Sequence, residues 1–83
     1  MNYTAQVKIM PLKDLLDPQG KAVMGGLKNL GLSSINDVRV GKHIVLQLNA
    51  HSEEKAMEIA TEATKQLLAN SVMETFEISI HQG

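Results

Sequence analysis

Eighty-three residues suffice for one domain, 1–83, and are too few for two. Eight basic residues stand against nine acidic ones, and Tyr3 and Phe76 are the only aromatics; this excludes the basic stripe of a duplex nucleic-acid binder and the stacking platform of a single-strand binder. With no cysteine for a disulfide or a thiolate metal site, a core this thin is expected to gain stability by association, at least as a dimer.

Met1 to Met10 alternates polar and apolar residues, unlike a secretory leader, and no apolar run is long enough to cross a bilayer. A cytoplasmic chain is therefore expected. Tyr3, Ala5, Val7 and Ile9 would share one face of a first strand, with Thr4, Gln6, Lys8 and Met10 on the other. Pro11 ends it, and a loop runs from there through Leu15 and Leu16.

Asp17-Pro18 marks a helix start. The carboxylate can cap free N–H groups, and proline loses nothing at the first helical position. Val23, Gly26, Leu27 and Leu30 recur on one helical face, and Gly31 suits the left-handed residue that closes such a helix. Val38 and Val40 then alternate with Asp37 and Arg39, and Ile44, Leu46 and Leu48 with their polar neighbours. Gly41-Lys42 between them reads as a II′ turn joining two antiparallel strands. Ser52 is a good N-cap, followed by Glu53 and Glu54 where the helix dipole favours them. Ala56, Ala60, Ala63 and Leu67 form the expected stripe of the second helix, and Asn70 its C-cap. Phe76, Ile78 and Ile80 alternate as a fourth strand.

The order predicts an α+β fold, a β-α-β-β-α-β ferredoxin-like sandwich whose antiparallel sheet carries two helices on one face. The helices are expected to cover Val7, Ile9, Val40, Leu46 and Ile78. The other face is mixed, a candidate contact surface.

Chemistry is scarce. His43, His51 and His81 lack metal-ligand spacing, and Glu53, Glu54, Glu58 and Glu62 read as a solvated helix face. No serine stands in a nucleophile elbow, and the glycines match neither a P-loop nor a dinucleotide fingerprint. No catalytic residue and no metal ligand is therefore expected. Two places invite a second reading. The helix start Asp17-Pro18-Gln19-Gly20-Lys21 could hold an anion, although Asp17 would occupy the donors as a cap. Arg39 and Lys42 beside Gly41 are either a charge-protected edge or a docking point for an acidic partner.

Three segments carry a resemblance. Leu16-Asp17-Pro18-Gln19-Gly20-Lys21-Ala22-Val23, Val38-Arg39-Val40-Gly41-Lys42 and Lys65-Gln66-Leu67-Leu68-Ala69-Asn70-Ser71-Val72-Met73-Glu74 resemble, in order and spacing, motifs of the PurS family. The tail from Phe76 to Gly83 lacks the acidic, aromatic ending of some members. The resemblance implies a non-catalytic oligomeric subunit of phosphoribosylformylglycinamidine synthase in purine biosynthesis. Such a subunit bridges the synthetase PurL and the glutaminase PurQ and supports ammonia transfer between them. The complex converts formylglycinamide ribonucleotide to formylglycinamidine ribonucleotide. ATP, magnesium and glutamine would be used by the partner subunits, and no cofactor by this chain. Asp17, Gln19, Gly20, Lys21, Arg39, Gly41, Lys42 and Asn70 would bind partners or shape the dimer. The rival is a stand-alone ACT-like domain binding a small molecule. An acylphosphatase would need a phosphate loop with an arginine where this chain reads Pro11-Leu12-Lys13-Asp14. A metal chaperone of this fold would carry a Cys-x-x-Cys.

Overall fold

Alternation in the first strand becomes burial. In a computed structural model that describes residues 1–13 and 15–83, strand β1 spans Asn2–Pro11. Its odd-numbered residues Tyr3, Ala5, Val7 and Ile9 are all buried. Asp14, within the loop expected from Pro11 through Leu16, lies outside the described residues. β1 is the middle of a three-stranded antiparallel sheet. On one side it pairs with β2 (Lys42–Asn49), setting Val7 opposite Ile44 and Ala5 opposite Leu46. On the other it pairs with β3 (Glu74–Gln82), setting Val7 opposite Ile78 and Ala5 opposite Ile80. The register lines the apolar residues of all three strands on one face, as a period of two requires.

Helix α1 (Pro18–Asn29) starts and stops as expected. Asp17 caps it by accepting from the Gly20 N–H at 3.0 Å. At the far end Gly31 adopts φ +83°, the Leu32 N–H reaches the Leu27 carbonyl and the Gly31 N–H the Lys28 carbonyl. This is the paired closure that a left-handed glycine permits. Helix α2 (Glu53–Ala63) is capped by Ser52, whose Oγ accepts from the Lys55 N–H at 3.1 Å. It packs on β1 and β3 through Ala56 and Ala60, both fully buried.

Four expectations change. Asp37–Val40 is not a strand, so the sheet has three strands and Gly41-Lys42 makes no hairpin turn. The amides of that segment are taken by carboxylates, Val38 N–H by Asp37 and Val40 N–H by Asp17, each at 3.0 Å, which leaves the Val38 and Val40 N–H groups unavailable to a ladder. The surviving order β2-β1-β3 is the ferredoxin-like sheet without the edge strand that Val38 and Val40 were to supply. Among the described residues only α2 covers the sheet; α1 leaves it, and the molecule measures 51 × 26 × 14 Å.

The third and fourth changes lie beyond Ala63. A π-helical turn, Thr64–Leu68, follows α2. Its wider step moves the stripe from Ala63 and Leu67 to Thr64 and Leu68. Thr64 is fully buried, its hydroxyl donating to the Ala60 carbonyl at 2.8 Å, while Leu67 is 83% exposed. Asn70 does not cap the helix: Ala69 holds that place, and Asn70 Oδ1 accepts from the Val72 and Met73 N–H groups instead.

The phase of this stripe is testable. Leu67→Ala should change the unfolding free energy by less than about 0.5 kcal/mol. Leu68→Ala, which removes a side chain packed against the Val7, Ile9 and Ala69 cluster, should cost about 2 kcal/mol. Urea titration of both variants decides; equal costs would restore the unshifted stripe.

Candidate functional site

Because β2 and β3 both run antiparallel to β1, one end of the sheet gathers the C-terminus of β1 and the N-termini of the other two strands. Lys42 lies opposite Ile9 there, and Glu74 opposite Pro11. All three sequence segments singled out above arrive at this end.

Asp17 joins the first segment to the second. One carboxylate oxygen accepts from Gly20 N–H and the other from Val40 N–H, both at 3.0 Å. Gly20 is the only buried residue of α1, and a Cβ there would overlap the Val38 carbonyl oxygen. Glycine is thus required by the close approach of the second segment, not by helix geometry. Arg39 is half-buried, and its guanidinium donates to the Pro11 carbonyl. Gly41 crosses the end of β1 so closely that a Cβ would overlap the Ile9 carbonyl and the Met10 sulfur.

Lys42 joins the second segment to the third. Its ammonium donates to the Leu68 carbonyl at 3.2 Å and lies 3.6 Å from the Glu74 carboxylate. Glu74 also accepts from the Asn70 N–H at 2.7 Å and returns its own N–H to the Asn70 carbonyl at 2.8 Å. The sequence reading passed over Glu74. The signal was an acid four residues beyond Asn70, inside the third segment, with Lys42 as its counter-charge.

Six of the eight site residues are therefore brought together as ties within the chain: Asp17, Gly20, Arg39, Gly41, Lys42 and Asn70. Gln19 and Lys21 stay exposed on the first turn of α1. The Pro11 carbonyl engages Arg39, and the Leu68 carbonyl and the Glu74 carboxylate engage Lys42. Asp17 occupies the amide of Gly20 at the helix start, as a cap does. Around the ties lies apolar surface: Leu16 is 69% exposed and Val72 78%, and Leu12, Leu15 and Leu16 line an open groove with Asp17, Lys21 and Arg39. Among the described residues no three His, Asp or Glu side chains converge as a metal site would need, and no helix is long and apolar enough to cross a membrane.

The Gly20 and Val40 N–H groups, with Arg39 nearby, hold the Asp17 carboxyl below its ordinary value of 3.8. A depressed carboxylate stabilises the fold fully above that ordinary value and loses its contribution as pH falls through the lowered one. Asp17→Asn should therefore be less stable than the parent at neutral pH. The two should converge as pH falls through the ordinary value of 3.8 and then through the lowered one, where the parent's carboxylate takes up its proton. Urea midpoints across that range check this; parallel curves would contradict it.

Against known proteins, the family model for PurS, phosphoribosylformylglycinamidine (FGAM) synthase, matches residues 4–82. The chain is 38% identical over 84 residues to the phosphoribosylformylglycinamidine synthase subunit PurS of Synechocystis, covering 99% of this chain and 84% of that one. It superimposes on Thermus thermophilus PurS with a TM-score of 0.85 at 39% identity, covering 100% and 99% of the two chains. A chain in the structure of PurLQS from Thermotoga maritima matches with a TM-score of 0.88 at 27% identity, covering 98% and 99%. The chain belongs to the PurS family.

Proposed function

We propose that this chain is the non-catalytic subunit of a phosphoribosylformylglycinamidine synthase complex, bridging a PurL-type synthetase and a PurQ-type glutaminase. The observation that carries the reading is the convergence of all three family-like segments on one end of the sheet. They lock to one another there and leave apolar surface outward. A catalytic site would aim these polar groups at a shared space; here they are aimed at backbone within the chain. The end is a shaped platform, and Leu16, Val72 and the exposed Lys21 are what a partner would touch.

Membership of the family supports the reading, as does the fold shared with a chain of the PurLQS structure. The chemistry belongs to the partners. Glutamine releases ammonia on one, ATP with magnesium activates the formylglycinamide amide on the other, and this chain holds the two in register for the transfer. It works in the cytoplasm, associates with itself, and binds no cofactor of its own.

Two measurements test this. The purified chain alone should hydrolyse neither glutamine nor ATP. Mixed with PurL and PurQ subunits, it should co-purify with them and be required for glutamine-dependent synthesis, whereas synthesis from added ammonium salt should depend on it far less. A chain that neither co-purifies nor alters glutamine-dependent turnover defeats the proposal.

The ties add a sharper expectation. If Arg39 and Lys42 shape the platform, Arg39→Ala with Lys42→Ala should lower folding stability by about 1–2 kcal/mol, the scale of charge-assisted hydrogen bonds. Assembly should weaken to a similar degree at low and high salt. Charges that steer a partner would instead show their effect mainly at low salt, with folding unchanged. Sedimentation at two salt concentrations, with urea titration, separates the two.

A further inference from the structure

Two cations at the tied end of the sheet stand outside the ties. Arg39 is engaged by the Pro11 carbonyl, and Lys42 by the Leu68 carbonyl and Glu74. Lys13, in the loop after β1, and Lys21, on the first turn of α1, are both exposed. Among the described residues neither lysine forms an ion pair; the two that exist join Lys42 to Glu74 and Lys55 to Glu58.

Both lysines border apolar surface. With Leu12, Leu15 and Leu16 they line an open hollow of about 390 Å³. Leu12, Lys13 and Leu15 also line a second hollow, about 420 Å³, which extends the groove to Pro11 and Thr75. Leu15 is 38% and Leu16 69% exposed, so leucine side chains stand open to water here. The groove is held in place by backbone bonds. The Leu12 N–H donates to the Met73 carbonyl at 2.9 Å, and the Leu15 N–H to the Leu12 carbonyl at 3.1 Å. A surface fixed in advance asks little ordering of itself when a partner arrives.

Charge points to the occupant. Asp17 and Asp37 line the groove as well. Their carboxylates accept from backbone N–H groups of the chain itself, Asp17 from Gly20 and Val40, and Asp37 from Val38. The charges left to meet an incoming group are those of the two lysines. A small free anion would find them in open solvent, where ion pairs contribute little. A polypeptide that sets apolar side chains among the leucines and carboxylates beside the lysines is held by both surfaces at once.

We propose, resting on the bridging role, that this groove receives an acidic, amphipathic segment of one of the larger subunits. Its apolar side chains lie against Leu12, Leu15 and Leu16, and its carboxylates face Lys13 and Lys21. The leucines supply contact that salt does not screen. The lysines steer the encounter and reject a basic segment. The division of labour at this end is then plain: Arg39 and Lys42 hold the chain to itself, and Lys13 and Lys21 meet the partner.

Assembly with PurL and PurQ subunits is measured by sedimentation at about 0.01 M and about 1 M salt, where the Debye length is about 30 Å and about 3 Å. Lys13→Ala with Lys21→Ala should raise the dissociation constant about threefold to tenfold at low salt and much less at high salt. Its urea midpoint should match the parent's, since exposed lysines add little to the fold. Leu16→Ala should weaken assembly at least about fivefold at both salts. Lys55→Ala, which removes an exposed cation from the first turn of α2, should assemble as the parent does. The chain has no native cysteine, so Gln19→Cys can carry a photoactivated crosslinker beside the groove. Mass spectrometry of the irradiated complex should find it joined to a peptide of a larger subunit in which Asp and Glu outnumber Lys and Arg. A crosslinked peptide with a basic excess overturns the proposal, as does one from a second copy of this chain. So does a double lysine variant that assembles like a parent that itself assembles, and these results leave the bridging role standing. A parent that does not assemble with the larger subunits defeats the bridging role, and the groove's part in it falls too.

Discussion

The carboxylate of Asp17 has two oxygens, and the shape of this molecule depends on where they go. One accepts from the Gly20 N–H and starts α1; the other accepts from the Val40 N–H. The second bond draws Val38–Val40 against the helix start, so the sheet ends at β2 instead of gaining another strand. The same approach presses the Val38 carbonyl onto residue 20, where only glycine fits. The helix, tied at its base to the end of the sheet, points away from it. One charge-assisted pair of hydrogen bonds thus decides strand count, helix position and the identity of a neighbouring residue.

Much of this was legible in the sequence, wherever the cause is local. The alternation of β1 and β3, the caps at Asp17 and Ser52 and the left-handed closure at Gly31 each follow from residues within a turn or a strand. What could not be read depends on distant competitors. Asp37-Val38-Arg39-Val40 has the pattern of a strand, but the Val40 amide is taken by Asp17, far upstream in the chain. The stripe of α2 slips by one residue because a π turn intervenes, and no propensity at Thr64 announces it. Periodicity puts Val23, Gly26, Leu27 and Leu30 on one face of α1, but it cannot say that the helix leaves the sheet. The candidate site divides the same way. The three segments were recognisable, while their meeting at one end of the sheet, and the part of Glu74 in holding it, required the register.

Ties of this kind suit the bridging role proposed for this chain. Arg39, Lys42, Asn70 and Glu74 spend their hydrogen bonds on the chain itself and fix the loops around the strand ends. The outward residues are then left apolar or singly charged, which favours contact over chemistry. β2 remains a sheet edge along its full length, the kind of surface that proteins usually cover or blunt. A small domain with a thin core, an open edge and a projecting helix is shaped to be completed by other chains.

The claim on which this account rests is that one carboxylate holds both α1 and the Val38–Val40 segment. Proton NMR of the amides through an acid titration measures it most directly. The Gly20 and Val40 N–H resonances should move together, with a single midpoint below the ordinary carboxylate value of 3.8, as Asp17 takes up its proton and releases both. A Val40 amide that ignores the titration while Gly20 responds would mean that the segment is held by something other than Asp17, and the account of the displaced strand would fail.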